Sequence, residues 1–125
     1  MLQCADGSNI RKTMTVLVVH PISDRTLDIS PAKVYGDFKF VSKRYIYIDE
    51  LENEVEIPKD FTNRMLKAVD EFEPDYDYLL IAGDHLQLMA MSAHLSERWG
   101  SFKVLRYDRE AKGYCPVMIS TVIGD

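Results

Sequence analysis

Imidazole and carboxylate side chains do chemistry when a fold gathers them, and in this sequence several stand at the ends of apolar runs. His20 closes the run Val16-Leu17-Val18-Val19, Gly83-Asp84-His85 closes Leu79-Leu80-Ile81-Ala82, and Asp108-Arg109 follows Val104-Leu105-Arg106-Tyr107. In an open parallel sheet the carboxyl ends of the strands form one rim, where loops and helix N-termini converge on a ligand. There His20, Asp84, His85 and Asp108 would supply two imidazoles and two carboxylates, able to act as general acid and base or to bind a divalent cation. Each also has an architectural use: Asp84 as the N-cap of a helix, His20 as the strand terminator before Pro21, and Asp108-Arg109 as turn residues. These four are the candidate catalytic residues. No HxH or HxxxH spacing is present, so no metal site is expected, and the absence of GxGxxG and GxxxxGK[ST] means that no cofactor is implied.

Recognition by charge is the second chemistry on offer. Residues 32–48 carry four bases (Lys33, Lys39, Lys43, Arg44) and one acid (Asp37), interleaved with Tyr35, Phe38, Phe40, Tyr45 and Tyr47. Bases alternating with aromatics on a ribbon can neutralise and stack single-stranded nucleic acid, and can equally pack the aromatics inward while the lysines stay solvated. Residues 49–77 reverse the sign, with eleven acids against three bases. Such a surface attracts a basic partner, so Lys39, Lys43, Arg44 and Tyr45 on one side and Asp70, Glu71, Glu73 and Asp75 on the other are the candidate partner-binding residues.

The elements that must position these groups follow from hydrophobic periodicity. Residues 13–20 form an apolar, β-branched run, the pattern of a central strand covered on both faces. Residues 22–31 break periodicity and read as a loop, while 32–40 and 44–49 read as the arms of an inserted antiparallel hairpin, with a short edge strand possible at 54–57. Pro58 opens a helix whose apolar face is Phe61, Met65, Val69 and Phe72, ending near Pro74. Residues 76–83 form a second buried strand. Asp84 with Gln87 then makes a capping box for a helix that is apolar around most of its circumference, is expected to be the most buried one, and ends at Gly100. Met65, Met89, Met91 and Met118 all fall at apolar positions and read as core filler. Residues 102–107 form the next strand, paired antiparallel with 114–121 after a turn through Ala111, Lys112 and Gly113.

Residues 76–107 are thus a strand, a helix and a strand of the size of a βαβ unit. The fold class is α/β, one small domain over 13–125 after a leader at 1–12, with a mainly parallel Rossmann-like sheet, an inserted antiparallel hairpin and two main helices. A composition of 46% hydrophobic and 28% charged residues is that of a globular chain, and the net charge of −5 argues against a general nucleic-acid coat. Cys4 and Cys115 lie far apart without a CxxC pattern, which suits a reducing cytoplasm, and the apolar runs are too short to span a membrane.

Two resemblances bear on function. Gly83-Asp84-His85-Leu86-Gln87-Leu88 is similar to the GDxxQL element of superfamily 1 helicases, but the likeness covers six residues and no Walker motif accompanies it. The segment 76–119, with Asp77-Tyr78-Leu79-Leu80-Ile81-Ala82-Gly83, an Ala- and Met-rich helix, Val104-Leu105-Arg106-Tyr107-Asp108-Arg109-Glu110 and Tyr114-Cys115-Pro116-Val117, resembles small uncharacterised proteins of tailed bacteriophages. That resemblance implies a phage gene expressed in a bacterial cytoplasm, and a non-enzymatic protein that binds and redirects a host or phage protein, an anti-defence role included. The expected contact is the acidic surface or the hairpin edge. A small enzyme using the strand-end rim and single-stranded nucleic-acid binding by the hairpin are the alternatives. Exposed apolar surface on the second helix would point to a homodimer.

Overall fold

Val16 to Val19 leave no polar side chain for either face of a strand, and the fold buries both. The computed structural model describes residues 14–23, 27–44, 46 and 56–120. In it β1 (Thr15–Val18) is flanked on one side by β2 (Asp37–Phe40) and on the other by β3 (Tyr78–Leu80). Beyond β3 come β4 (Ser101–Asp108) and β5 (Gly113–Ser120), giving the sheet order β2-β1-β3-β4-β5. All pairings are parallel except β4 with β5, which form an antiparallel hairpin.

The connections sort by direction. β2 to β3 runs through α1 (Lys59–Glu71) and β3 to β4 through α2 (His85–Trp99), both stepping the same way across the sheet. With right-handed crossovers both helices fall on one face. Their shared core there includes Leu17, Val19, Leu79, Phe102 and Val104 from the sheet, Phe61, Met65, Val69 and Phe72 from the α1 segment, and Met91 and Leu95 from α2. The Trp99 indole N–H donates to the Val69 carbonyl at 2.9 Å and ties the helices together. β1 to β2 steps the opposite way, so its 3-10 helix (Ser30–Tyr35) covers the other face, with Ala32 against Val16, Val18, Leu80 and Leu105.

The α1 face is the one the spacing of Phe61, Met65, Val69 and Phe72 predicts, each at most 3% exposed. The central first strand, the βαβ unit and the C-terminal antiparallel pair likewise stand as read from the sequence.

The reading of 32–40 as a hairpin arm is corrected. Residues up to Tyr35 wind as a 3-10 helix, and Asp37–Phe40 pairs in parallel with β1. The Asp28 carboxylate accepts the Ser30 N–H at 3.0 Å and Pro31 presets the first turn, so the chain coils before it can extend. Hydrogen bonds from the Ser30 backbone and then from its hydroxyl hold the Asp28 carboxyl below its ordinary range. Tyr35 then packs edge-on against Tyr78 at 5.4 Å and donates its hydroxyl to the Tyr114 carbonyl. Gly36, at φ +154°, turns the chain into β2 where any Cβ would collide with the Met14 carbonyl. The leader at 1–12, most of 44–49 and residues 54–55 of the expected edge strand lie outside the described residues, while Glu56 and Ile57 are not in a strand.

The second helix also departs from expectation. α2 buries only Gln87, Met91 and Leu95, and Leu86 and Met89 are exposed, Met89 by 71%. Met65 and Met91 are core residues, whereas Met89 and Met118 are surface ones. The reason is the antiparallel return of β5: among the described residues no third helix follows β4 to cover the outer flank of α2.

Candidate functional site

Because the loops after β1 and β3 leave toward opposite faces of the sheet, their carboxyl ends define its topological switch point, where doubly wound proteins bind ligands. Here His20 fills it, 1% exposed. Its Nε2 accepts the Asp84 backbone N–H at 2.9 Å, and its Nδ1 lies 2.8 Å from the Pro21 carbonyl. A carbonyl can only accept and an amide N–H only donate, so the ring is the neutral Nδ1–H tautomer. Gly83, at φ +106°, closes the crevice: a Cβ there would stand 2.7 Å from Val19 Cγ2 and 3.0 Å from His20 Nε2.

The rest of the rim turns inward as well. The Asp84 carboxylate accepts the Gln87 N–H at 3.2 Å, the N-cap expected from sequence. The reciprocal half of a capping box is not formed, since the Asp84 N–H goes to His20 and the Gln87 amide donates to Ser42 Oγ at 2.8 Å. The Ser42 hydroxyl in turn lies 2.9 Å from the Val19 carbonyl and 3.1 Å from that of Arg44. Ser42 and Gln87 were not singled out from sequence; both are buried polar residues that knit the ends of β1, β2 and α2. The spacing Asp84-x-x-Gln87 marks Gln87 as a capping residue and hides this cross-strand role.

Of the four candidate catalytic residues, the structure joins His20 to the Asp84 backbone. His85 is exposed on the first turn of α2. Asp108 lies three residues beyond Leu105, the ladder partner of Leu80, and its carboxylate accepts the Glu110 N–H at 3.0 Å in the β4–β5 turn. Among the described residues no group of three His, Cys, Asp or Glu is placed to hold a metal ion.

The charged candidates are arranged unexpectedly. Glu71 pairs with Lys39, bringing the basic and acidic stretches together, and Asp70 lies 3.7 Å from Arg98. The Arg44 guanidinium sits 5.3 Å from the Phe61 ring centre. Lys43 is exposed, as are Glu73 and Asp75, and the Asp75 carbonyl accepts from Lys103 at 3.0 Å. Tyr45 lies outside the described residues. Asp77, counted in sequence as one more acid, is 1% exposed and accepts the Thr15 N–H at 3.0 Å and the Glu73 N–H at 2.8 Å.

A groove on the helical face is apolar instead. Leu79, Ile81, Leu88, Met89, Val104 and Ile119, with Ser92, line a groove of about 340 Å³ between α2 and the β4–β5 hairpin.

Architecture and rim together define a small doubly wound α/β protein whose switch point is filled by its own histidine. The chain belongs to the Phage Pam3 gp32-like protein family, whose model matches residues 14–121 and so takes in every element described above. It is thus a phage-type protein, as the 76–119 resemblance implies. Neither a curated protein nor a solved structure matches it. Among the described residues no helix is long and apolar enough to cross a membrane.

Proposed function

We propose that this phage protein is a non-enzymatic binding module of the host cytoplasm that engages a host or phage protein through the groove between α2 and the β4–β5 hairpin. The observation that carries the reading is the exposure of Ile81, Met89, Val117 and Ile119 along one flank of the helical face. Contiguous exposed apolar side chains mark an interaction surface more often than scattered ones do. The occupant is an amphipathic helix of the partner. α1 and α2 already line this face side by side, and a third helix laid beside α2 continues that layer over Val104, Val117 and Ile119. The rim chemistry supports the same reading, because His20, Asp84 and Asp108 spend hydrogen-bonding atoms on their own backbone. The acidic flank is a weaker contact than the sequence suggests, with Asp70 and Glu71 already facing bases.

A photo-crosslinking amino acid in place of Met89, in protein expressed during infection, tests the proposal. One heterologous adduct at that position, with none from a probe replacing the exposed Lys112, is the expected result. An adduct only with a second copy would replace the reading by a homodimer, and no adduct would overturn it. Met89→Glu in the unlabelled protein should compete poorly for the same partner while keeping the wild-type melting temperature, because the side chain is on the surface.

A further inference from the structure

At the opposite edge of the sheet the geometry points to a binding site for nucleotide phosphates, in the cleft between β2 and α1. Its volume is about 320 Å³, and it is lined by Lys39, Arg64 and Lys67, with Glu71, over a floor that includes Phe40 and Ala68. Three cations face one carboxylate in a chain whose net charge is −5. Among the described residues neither Arg64 nor Lys67 has an ion-pair partner, and Asp60, one turn before Arg64, pairs with neither.

Helix phase produces this concentration. Arg64 and Lys67 are three residues apart and lie on the β2 side of α1, whereas Asp70 turns to the α2 side and meets Arg98. A helix with three acids and three bases therefore shows a mainly basic flank to the edge strand.

Three cations side by side match the closely spaced phosphates of a single-stranded nucleic acid, whose backbone charge supplies most of its sequence-independent affinity. The cleft has the volume for about one nucleotide, at the lower end of small-ligand pockets. Lys39 and Glu71 are each about half exposed, and an exposed pair of this kind is only weakly held, so an arriving phosphate can share Lys39 at little cost. This inference uses neither the groove of α2 nor its partner, and it differs from a ribbon site in placing the decisive cations, Arg64 and Lys67, on the helix.

The test is fluorescence anisotropy with a labelled 20-residue oligodeoxythymidine, beside calorimetric titrations of adenosine monophosphate and inorganic phosphate. Each phosphate neutralised on a single strand contributes a slope of about −0.7 in log K against log salt, so three cations predict a loss of about 20-fold between 50 and 200 mM NaCl. Arg64→Ala and Lys67→Ala should each weaken binding and flatten that slope by about 0.7. Glu71→Gln should tighten binding, a change of sign that general destabilisation would not produce. Arg109→Ala, in the distant β4–β5 turn, removes the same charge and should have no effect. Binding of the mononucleotide with no gain on the oligonucleotide would assign the site to a free nucleotide. Lack of binding by all three probes, or equal weakening by Arg109→Ala and Lys67→Ala, would overturn the inference.

Discussion

At the scale of the residue, two buried polar groups show how far side-chain chemistry depends on partners that sequence cannot display. His20 stands at a strand end, where an imidazole is suited to catalysis, yet both its nitrogens face backbone groups and its ring blocks the crevice. The position was legible from sequence because apolar runs end where the rim must be. The ring's orientation was not, because it depends on Asp84, 64 residues away. Tyr114 presents the opposite case. Among the described residues its hydroxyl is buried without a hydrogen-bond partner, and burial, followed by Tyr107 and Asp28, pushes its ionisation upward. The folded chain thus holds this phenolic proton more tightly than the unfolded chain does. The resulting stability is present below about pH 10 and is lost as pH rises through the folded value. Thermal melts from pH 8 to 11 should show Tyr114→Phe falling less steeply than the wild type at the alkaline end. At pH 7 the variant should be more stable by about 1 kcal/mol, since it removes an unpaired buried hydroxyl. Parallel melting curves for the two proteins across the whole range would disprove this account.

At the scale of the element, what was legible was whatever one element's own side chains decide. The 3.6-residue spacing of Phe61, Met65, Val69 and Phe72 defines the buried face of α1 whatever lies opposite, and the apolar run Val16–Val18 of β1 requires neighbours on both faces. Residues 32–40 misled because Val34, Tyr35, Phe38 and Phe40 suit a strand by composition, while the early coiling is set by Asp28, Ser30 and Pro31 upstream. Parallel pairing of β2 with β1 also leaves no local signature, as the two strands meet only through a long connection. Asp77 belongs to this scale. Its two oxygens hold the first residue of β1 to the exit of α1, two segments that share no ladder. Asp77→Ala strands two backbone N–H groups and should lower unfolding free energy by about 3 kcal/mol in urea denaturation. Asp77→Asn keeps one acceptor oxygen and should lose about half as much. Equal losses for Ala and Asn would mean that the carboxylate's charge, and not its pair of acceptors, joins the elements.

At the scale of the whole molecule, the sheet order gives the protein two unlike edges. β2 with α1 is cationic, β5 with α2 is apolar, and four strand spacings of about 4.8 Å set them roughly 19 Å apart. The net charge of −5 describes neither edge, because residues 49–77 contribute bases to the β2 cleft as well as acids, and two of those acids face bases elsewhere. The strands between the edges are packed on both faces, and their core residues Val16, Val18, Leu79 and Leu80 are at most 1% exposed, so they offer no loose element to carry a change across. Sites more than about 10 Å apart with no shared partner ordinarily act independently to within about 0.5 kcal/mol. Met89→Glu should accordingly leave oligonucleotide affinity within about twofold of wild type, and Lys67→Ala should leave the crosslinking yield at position 89 unchanged, so that both ligands can occupy one chain. A double-variant cycle on oligonucleotide affinity checks this directly. A coupling well above 0.5 kcal/mol between positions 67 and 89 would show that the core has two arrangements and that one edge regulates the other.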